Sequence, residues 1–154
     1  MSELDSIDHA LLAELQKDAR QTNKALAGKV GVAPSTCLER MRELRARGVV
    51  TGYHANVDPA ALGRPMEAIL SIQQRGSQRQ ATERLLAHLA ELPETIRVMA
   101  LTGTTDFIAH VAVRDSHHLR DVVWQLIERR EVGRVQSSLV FEKAEGPPLV
   151  PLAG

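Results

Sequence analysis

Short hydroxyls and guanidinium groups set within two turns of one helix suit base edges and phosphates, and the stretch Gly31 to Val50, GVAPSTCLERMRELRARGVV, carries both. Cys37, Met41 and Leu44 recur there at helical spacing and form a narrow apolar stripe. Ser35, Thr36, Glu39, Arg40 and Arg42 fall on the other faces, with Arg40 expected on an exposed one. Pro34 suits the first helical turn, where a missing amide hydrogen has no partner to lose, and Gly48 suits a left-handed stop. A shorter helical segment, Thr22 to Val30, lies just upstream across a turn at Gly31 and Val32. Two short helices joined by a glycine turn, the second one polar, are the pattern of a helix-turn-helix.

The plainer reading of such a helix is an amphipathic element with a solvated charged face. Charge placement argues for more. The chain is formally neutral, yet residues 20–54 carry Arg20, Lys24, Lys29, Arg40, Arg42, Arg45 and Arg47 against Glu39 and Glu43, a local excess of five positive charges. Residues 1–19 carry Glu3, Asp5, Asp8, Glu14 and Asp18 against Lys17, so neutrality hides a basic patch of the kind that binds nucleic acid. The residues expected at double-stranded DNA are Arg20, Pro34, Ser35, Thr36, Glu39, Arg40, Arg42 and Arg47.

Other chemistry finds less support. His110, Asp115, His117 and His118 are a possible metal group, but three or four ligands must converge, and adjacent histidines at a helix start diverge. They read as surface and interface histidines. No G-x-S-x-G elbow surrounds Ser137 and Ser138 and no glycine-rich phosphate loop occurs, so neither an enzyme nor a cofactor is expected. The single cysteine, Cys37, excludes an internal disulfide and reads as a small core residue. The sequence GTTD, Gly103 to Asp106, taken alone is an ordinary hairpin connection. No apolar run reaches the roughly 18 residues of a membrane span, and MSELDSIDHA is too polar and acidic for a secretory signal. The expected location is cytoplasmic and nucleoid-associated.

The elements that position these residues follow from caps and periodicity. Asp5 can cap a first helix carrying Ile7, Leu11 and Leu15 to about Lys17, and Thr22 can cap the second. The β-prone VVTGYHANVD after the third helix suits a small hairpin, making residues 1–57 a winged helix-turn-helix. DPAALGRP, residues 58–65, has the punctuation of a linker. Residues 66–143 then read as βαββαβ: alternation from Met66 to Gln73, a helix with Ala81, Leu85, Leu89 and Leu92, strands at Ile96 to Leu101 and Phe107 to Val113, a helix capped by Ser116 with Leu119, Val123, Leu126 and Ile127, and a last strand through Val135, Ser137, Leu139 and Phe141. That order implies an α+β ferredoxin-like sandwich, an antiparallel sheet with both helices on one face. Ile69, Met99, Leu101, Ile108 and Val140 would give the other face an apolar surface needing cover, and residues 144–154 form a tail.

The pattern LDxxDxxLLxxLQKDAR from Leu4 to Arg20, then Leu26 and Ala27, CLERMREL, RARGVVTGY and LTGTTDF resembles the Lrp/AsnC family of leucine-responsive, feast-or-famine transcription regulators across residues 4–143. The resemblance implies an N-terminal winged helix-turn-helix, a C-terminal domain that binds a small effector, an amino acid, and homodimers assembling to tetramers or octamers. It also implies an effector site at the G-x-x-D loop, with Leu101, Thr102, Gly103, Thr104, Thr105 and Asp106, and with Ser137 and Ser138 as further candidates from a neighbouring subunit. Gly103 would open backbone amides to a carboxylate, and Asp106 would take an ammonium. Two positions depart from the family pattern: Ala33 stands where a capping serine is usual, and Ala25 where a glutamate is common, each weakening a local cap by about 1 kcal/mol. Two functions remain open at this point. One is a sequence-specific regulator and the other an architectural DNA-compacting protein of low sequence specificity.

Overall fold

A computed structural model describes residues 4–76 and 78–152, and the chain divides into two compact units. The first comprises residues 1–55 together with 144–154, and the second residues 56–143.

In the first unit three helices follow in order: α1 (Ser6–Lys17), α2 (Asn23–Val30) and α3 (Pro34–Ala46). Asp5 caps α1 through a reciprocal box: its carboxylate accepts the Ile7 and Asp8 amides, and the Asp8 carboxylate accepts the Asp5 amide. Such a box satisfies amide groups that the first turn leaves without partners. Thr22 caps α2 by accepting the Ala25 amide. Leu11, Leu26, Ala27, Cys37 and Leu44 form the buried core, and Ile7, Leu15, Val30, Met41 and Val50 pack on it.

Residues 49–57 form no strand, which corrects the expected wing. A lone two-stranded hairpin is marginal without a third strand or an apolar cover, and Val49, Tyr53 and Val57 of this segment are exposed. The stretch read as a linker is tied to the second unit instead of hanging free. A short 3-10 turn, Pro59–Leu62, is capped by Asp58, and the Arg64 guanidinium donates to the Pro93 carbonyl.

The second unit has the expected βαββαβ order: β1 (Met66–Gln74), α4 (Arg79–Glu91), β2 (Thr95–Ala100), β3 (Phe107–Val113), α5 (Ser116–Ile127) and β4 (Val132–Leu139). The strands lie in the order β2-β3-β1-β4, and every pair is antiparallel. Ala68, Leu70 and Ile72 of β1 and Phe107, Ala109, Val111 and Val113 of β3 meet Leu85, Leu89, Leu119, Val122 and Leu126 of the two helices in one core. A period of two in the strands and a 3.6-residue period in the helices put these residues on facing surfaces.

Three details differ from expectation. Asp115, not Ser116, caps α5, its carboxylate accepting the His118 amide. Phe141 lies beyond the end of β4 and is 93% exposed. The outer sheet face is mixed rather than apolar: Ile69, Met99 and Ile108 share it with Glu67, Arg97, His110, Ser71, Gln136 and Ser138 by strand register. Among the described residues no helix is long and apolar enough to cross a membrane.

Candidate nucleic-acid interface and effector loop

The turn between α2 and α3 is built on Gly31, whose φ of 77° is a conformation costly for any side chain. Its amide and that of Val32 both donate to the Ala27 carbonyl, closing the end of α2. The Asn23 side chain donates to the Pro34 carbonyl at 2.7 Å, which ties the start of α2 to the first turn of α3. No side chain caps Ala33, as its methyl group requires.

With Cys37 and Leu44 inward, Pro34, Ser35, Glu39 and Arg42 are exposed on α3, Thr36 is half-buried, and Arg20 and Arg47 are exposed outside it. Arg40 is not the uncommitted exposed guanidinium that helical spacing suggests. It reaches Asp5 at 2.7 Å and the buried Asp8 at 3.3 Å, and its side chain is only 31% exposed. The Asp8 amide and then Arg40 hold the Asp5 carboxyl below the usual range, and Asp5 in turn raises Arg40. Arg40 therefore clamps α3 to the start of α1. Helical periodicity could not reveal a partner more than thirty residues away.

Lys29 is likewise engaged by Glu14, at 3.1 Å. The exposed cations of this unit include Arg20, Lys24, Arg42, Arg45 and Arg47. Lys24 and Arg45 entered the charge count but not the expected contact set. The Arg45 guanidinium stands 5.6 Å from the Tyr53 ring centroid, which leaves its charge intact. Cys37 is fully buried, and burial pushes its thiol up, as suits a packing residue.

In the second unit the loop from Leu101 to Asp106 joins β2 to β3. The Leu101 amide donates to the Asp106 carbonyl at 2.8 Å, and the Asp106 amide to the Ile72 carbonyl at 3.0 Å. Asp106 Oδ2 accepts the Gln74 amide at 2.7 Å, where the β1–β4 register shifts, and Gln73 Nε2 donates to the Thr104 carbonyl at 2.6 Å. Gly103 takes a φ of 114°, which favours glycine. Leu101, Thr102, Gly103 and Thr104 are exposed, and Thr105 and Asp106 half-buried. Gln73 and Gln74 escaped the sequence reading because they sit on a strand. Gln74 Nε2 is buried without a hydrogen-bond partner, on the residue whose backbone amide the Asp106 carboxylate holds.

Ser137 and Ser138 do not join this loop within one chain. They pair with Leu70 and Ile69, so their side chains leave opposite faces of the sheet. Ser138 is also about 13 Å up the strand from the Gln73–Gln74 level at roughly 3.3 Å per residue. The histidines are separately engaged. His110 Nε2 meets Glu67 at 2.7 Å and His118 Nε2 meets Glu94 at 2.9 Å, while Asp115 caps α5 and His117 is exposed. The Arg114 amide donates to His118 Nδ1 at 3.3 Å, which leaves Nε2 to carry the proton toward Glu94.

Comparison with known proteins agrees with this two-part plan. Residues 4–45 match the AsnC-type helix-turn-helix domain and residues 67–148 the Lrp/AsnC ligand binding domain. The HTH-type transcriptional regulator AldR of Mycolicibacterium smegmatis is 41% identical over 145 residues, covering 94% of this chain and 85% of its own length. AldR of Mycobacterium tuberculosis is 40% identical, with 94% and 82% covered. Among solved structures, a Neisseria meningitidis transcriptional regulator in complex with L-Met superposes with a TM-score of 0.87 at 29% identity, covering 97% of each chain. The helix-turn-helix built on Gly31 and the βαββαβ unit behind the Asp106 loop are thus the two halves of one plan, and the chain belongs to the Lrp/AsnC family of DNA-binding transcription regulators with a ligand-binding domain.

Proposed function

We propose that this protein is a sequence-specific regulator that contacts double-stranded DNA through α3 and the cations around it, and whose binding is modulated by an amino acid held near the 101–106 loop. The single observation that carries the reading is the separation of roles between the units. The exposed cations Arg20, Lys24, Arg42, Arg45 and Arg47 lie on the helix-turn-helix unit, while the loop fixed by Asp106, Gln73 and Gln74 lies on the other. An amino acid offers an anion and a cation together. Backbone amides opened at Gly103 suit its carboxylate, and the Asp106 carboxylate suits its ammonium. The solved relative bound to L-Met supports an amino acid as the effector class. A homodimer, or an assembly of dimers, fits a helix-turn-helix reading two half-sites of a pseudo-palindrome.

Sequencing the DNA fragments recovered with the protein, with and without a mixture of amino acids, tests the reading. A few strong palindromic sites whose occupancy changes with amino acids are expected. Broad coverage indifferent to them would replace it with the architectural reading. At the effector loop, Asp106→Asn keeps an acceptor for the Gln74 amide but removes the charge, so amino-acid affinity should fall by about 1.5–3 kcal/mol while the fold survives. Calorimetry with unchanged affinity would move the site elsewhere.

A further inference from the structure

The chain leaves its DNA-binding unit after Ala55 and is part of that unit again from Ala144 onward. Residues 144–152 form neither helix nor strand, yet one side chain of α1 holds them. Gln16 Nε2 donates to the Leu149 carbonyl at 2.9 Å, and Gln16 Oε1 accepts the Leu149 amide at 2.8 Å. One carboxamide thus satisfies both main-chain groups of one residue, as a neighbouring strand would. Nε2 also donates to the Leu12 carbonyl at 3.2 Å within α1, which sets the carboxamide's orientation. Beside this clamp Leu4, His9 and Leu12 face Leu149, Val150 and Pro151 across a cleft of about 220 Å³.

The segment AEGPPLVPL is suited to this task. Pro147, Pro148 and Pro151 restrict the free segment to extended conformations, so docking orders little that was not already ordered. The hold is shallow all the same, since Leu149 is 85% and Val150 65% exposed. A grip made mainly through main-chain groups at the surface can open without unfolding α1. The matched ligand-binding domain ends at residue 148, one residue short of the clamped Leu149.

We propose that the Gln16 face of α1 is a docking site for this chain's own Pro147–Pro151 segment, an intramolecular strap that gives the DNA-binding unit a second, releasable connection to the effector unit. With the strap engaged, the DNA-binding unit is held through residues 55–56 and again through residues 143–144. Released, it turns on the first connection alone.

Amide exchange on the full-length chain tests this by NMR. The Leu149 amide should exchange at least about tenfold more slowly than in a free peptide of residues 144–152, as expected for a docked state that opens locally. Gln16→Ala should return it to the peptide rate without altering protection elsewhere in α1, and should increase the independent tumbling of the DNA-binding unit in ¹⁵N relaxation. A wild-type Leu149 amide exchanging at the peptide rate would overturn the strap, and unchanged tumbling in Gln16→Ala would overturn the tether. Isotope-labelled Gln16→Ala chains, expressed separately and then co-refolded with unlabelled wild type, separate self-docking from exchange between copies. Restored protection of the labelled Leu149 would mean that another copy's α1 holds it, and the intramolecular assignment would fall.

Discussion

Among the described residues the DNA-binding unit buries five apolar residues in its core, Leu11, Leu26, Ala27, Cys37 and Leu44, whereas the effector unit buries thirteen around Leu70 and Phe107. The smaller core leaves more of the first unit's stability to surface devices: the Asp5–Asp8 box, the Arg40 clamp and the Glu14 pairs with Lys17 and Lys29. Apolar burial is indifferent to pH and depends little on salt, but caps and ion pairs are not. The unit that must contact a polyanion is therefore also the one whose own fold draws on charges.

The contrast can be broken most forcefully in the large core. Phe107→Ala removes a fully buried ring, and the effector unit should lose about 3–5 kcal/mol. Emission of the single tryptophan, Trp124 on α5, followed against urea would register that loss. Helix-turn-helix binding to DNA in dilute buffer should change little. An unfolding midpoint that stays put would show that the core relaxes around the void.

In the smaller unit Asp8→Ala removes a capping acceptor and one partner of Arg40, for a loss of about 1–3 kcal/mol. A cycle of Asp8→Ala and Arg40→Met should show coupling, and strict additivity in urea titrations would mean that the clamp does nothing for folding.

Arg42 and Arg40 make a sharper comparison, because they differ in engagement and not in chemistry. Arg42→Ala should weaken DNA binding by about 1–2 kcal/mol, reduce its salt dependence and leave folding alone. Arg40→Ala should lower thermal stability as well. Equal effects of the two on melting temperature would erase the distinction.

The smallest effect expected is that of acid. Asp5 sits below the usual carboxyl range because of the Asp8 amide and Arg40, and Glu14 because of Lys17 and Lys29. A depressed folded value means that stability is present above the unfolded value, near pH 4, and is lost as pH falls through the folded one. Glu67 of the effector unit is depressed too, first by Lys143 and then by His110, but a larger core stands behind it. Amide signals of α1 should therefore broaden at a higher pH than those of β3 in a two-dimensional NMR titration.

What the sequence revealed was local. Asp5, Thr22 and the Leu11 stripe announced their helices because caps and amphipathic spacing act within one turn, and the alternation from Met66 to Gln73 gave β1 with its buried face. The Gly103–Asp106 loop was legible as a connection. What stayed hidden depends on partners distant in the chain: Arg40 with Asp5 and Asp8, Gln74 with Asp106, and Gln16 with Leu149. The expected wing fails because β propensity needs a surface to pack on: Val50 packs on the helical core, but Val49, Tyr53 and Val57 are exposed. Ser137 and Ser138 enter as effector-site candidates from a neighbouring subunit by family resemblance alone, and within one chain strand register puts their side chains on opposite faces of the sheet.

Cys37 supplies an internal clock. It is the only thiol in the chain and is fully enclosed by the helices of the DNA-binding unit. A thiol-specific reagent can reach it only when that unit opens. The pace of labelling in native buffer therefore times the breathing of one unit while the other stays silent, and operator DNA should slow it in proportion to the occupancy of the closed form.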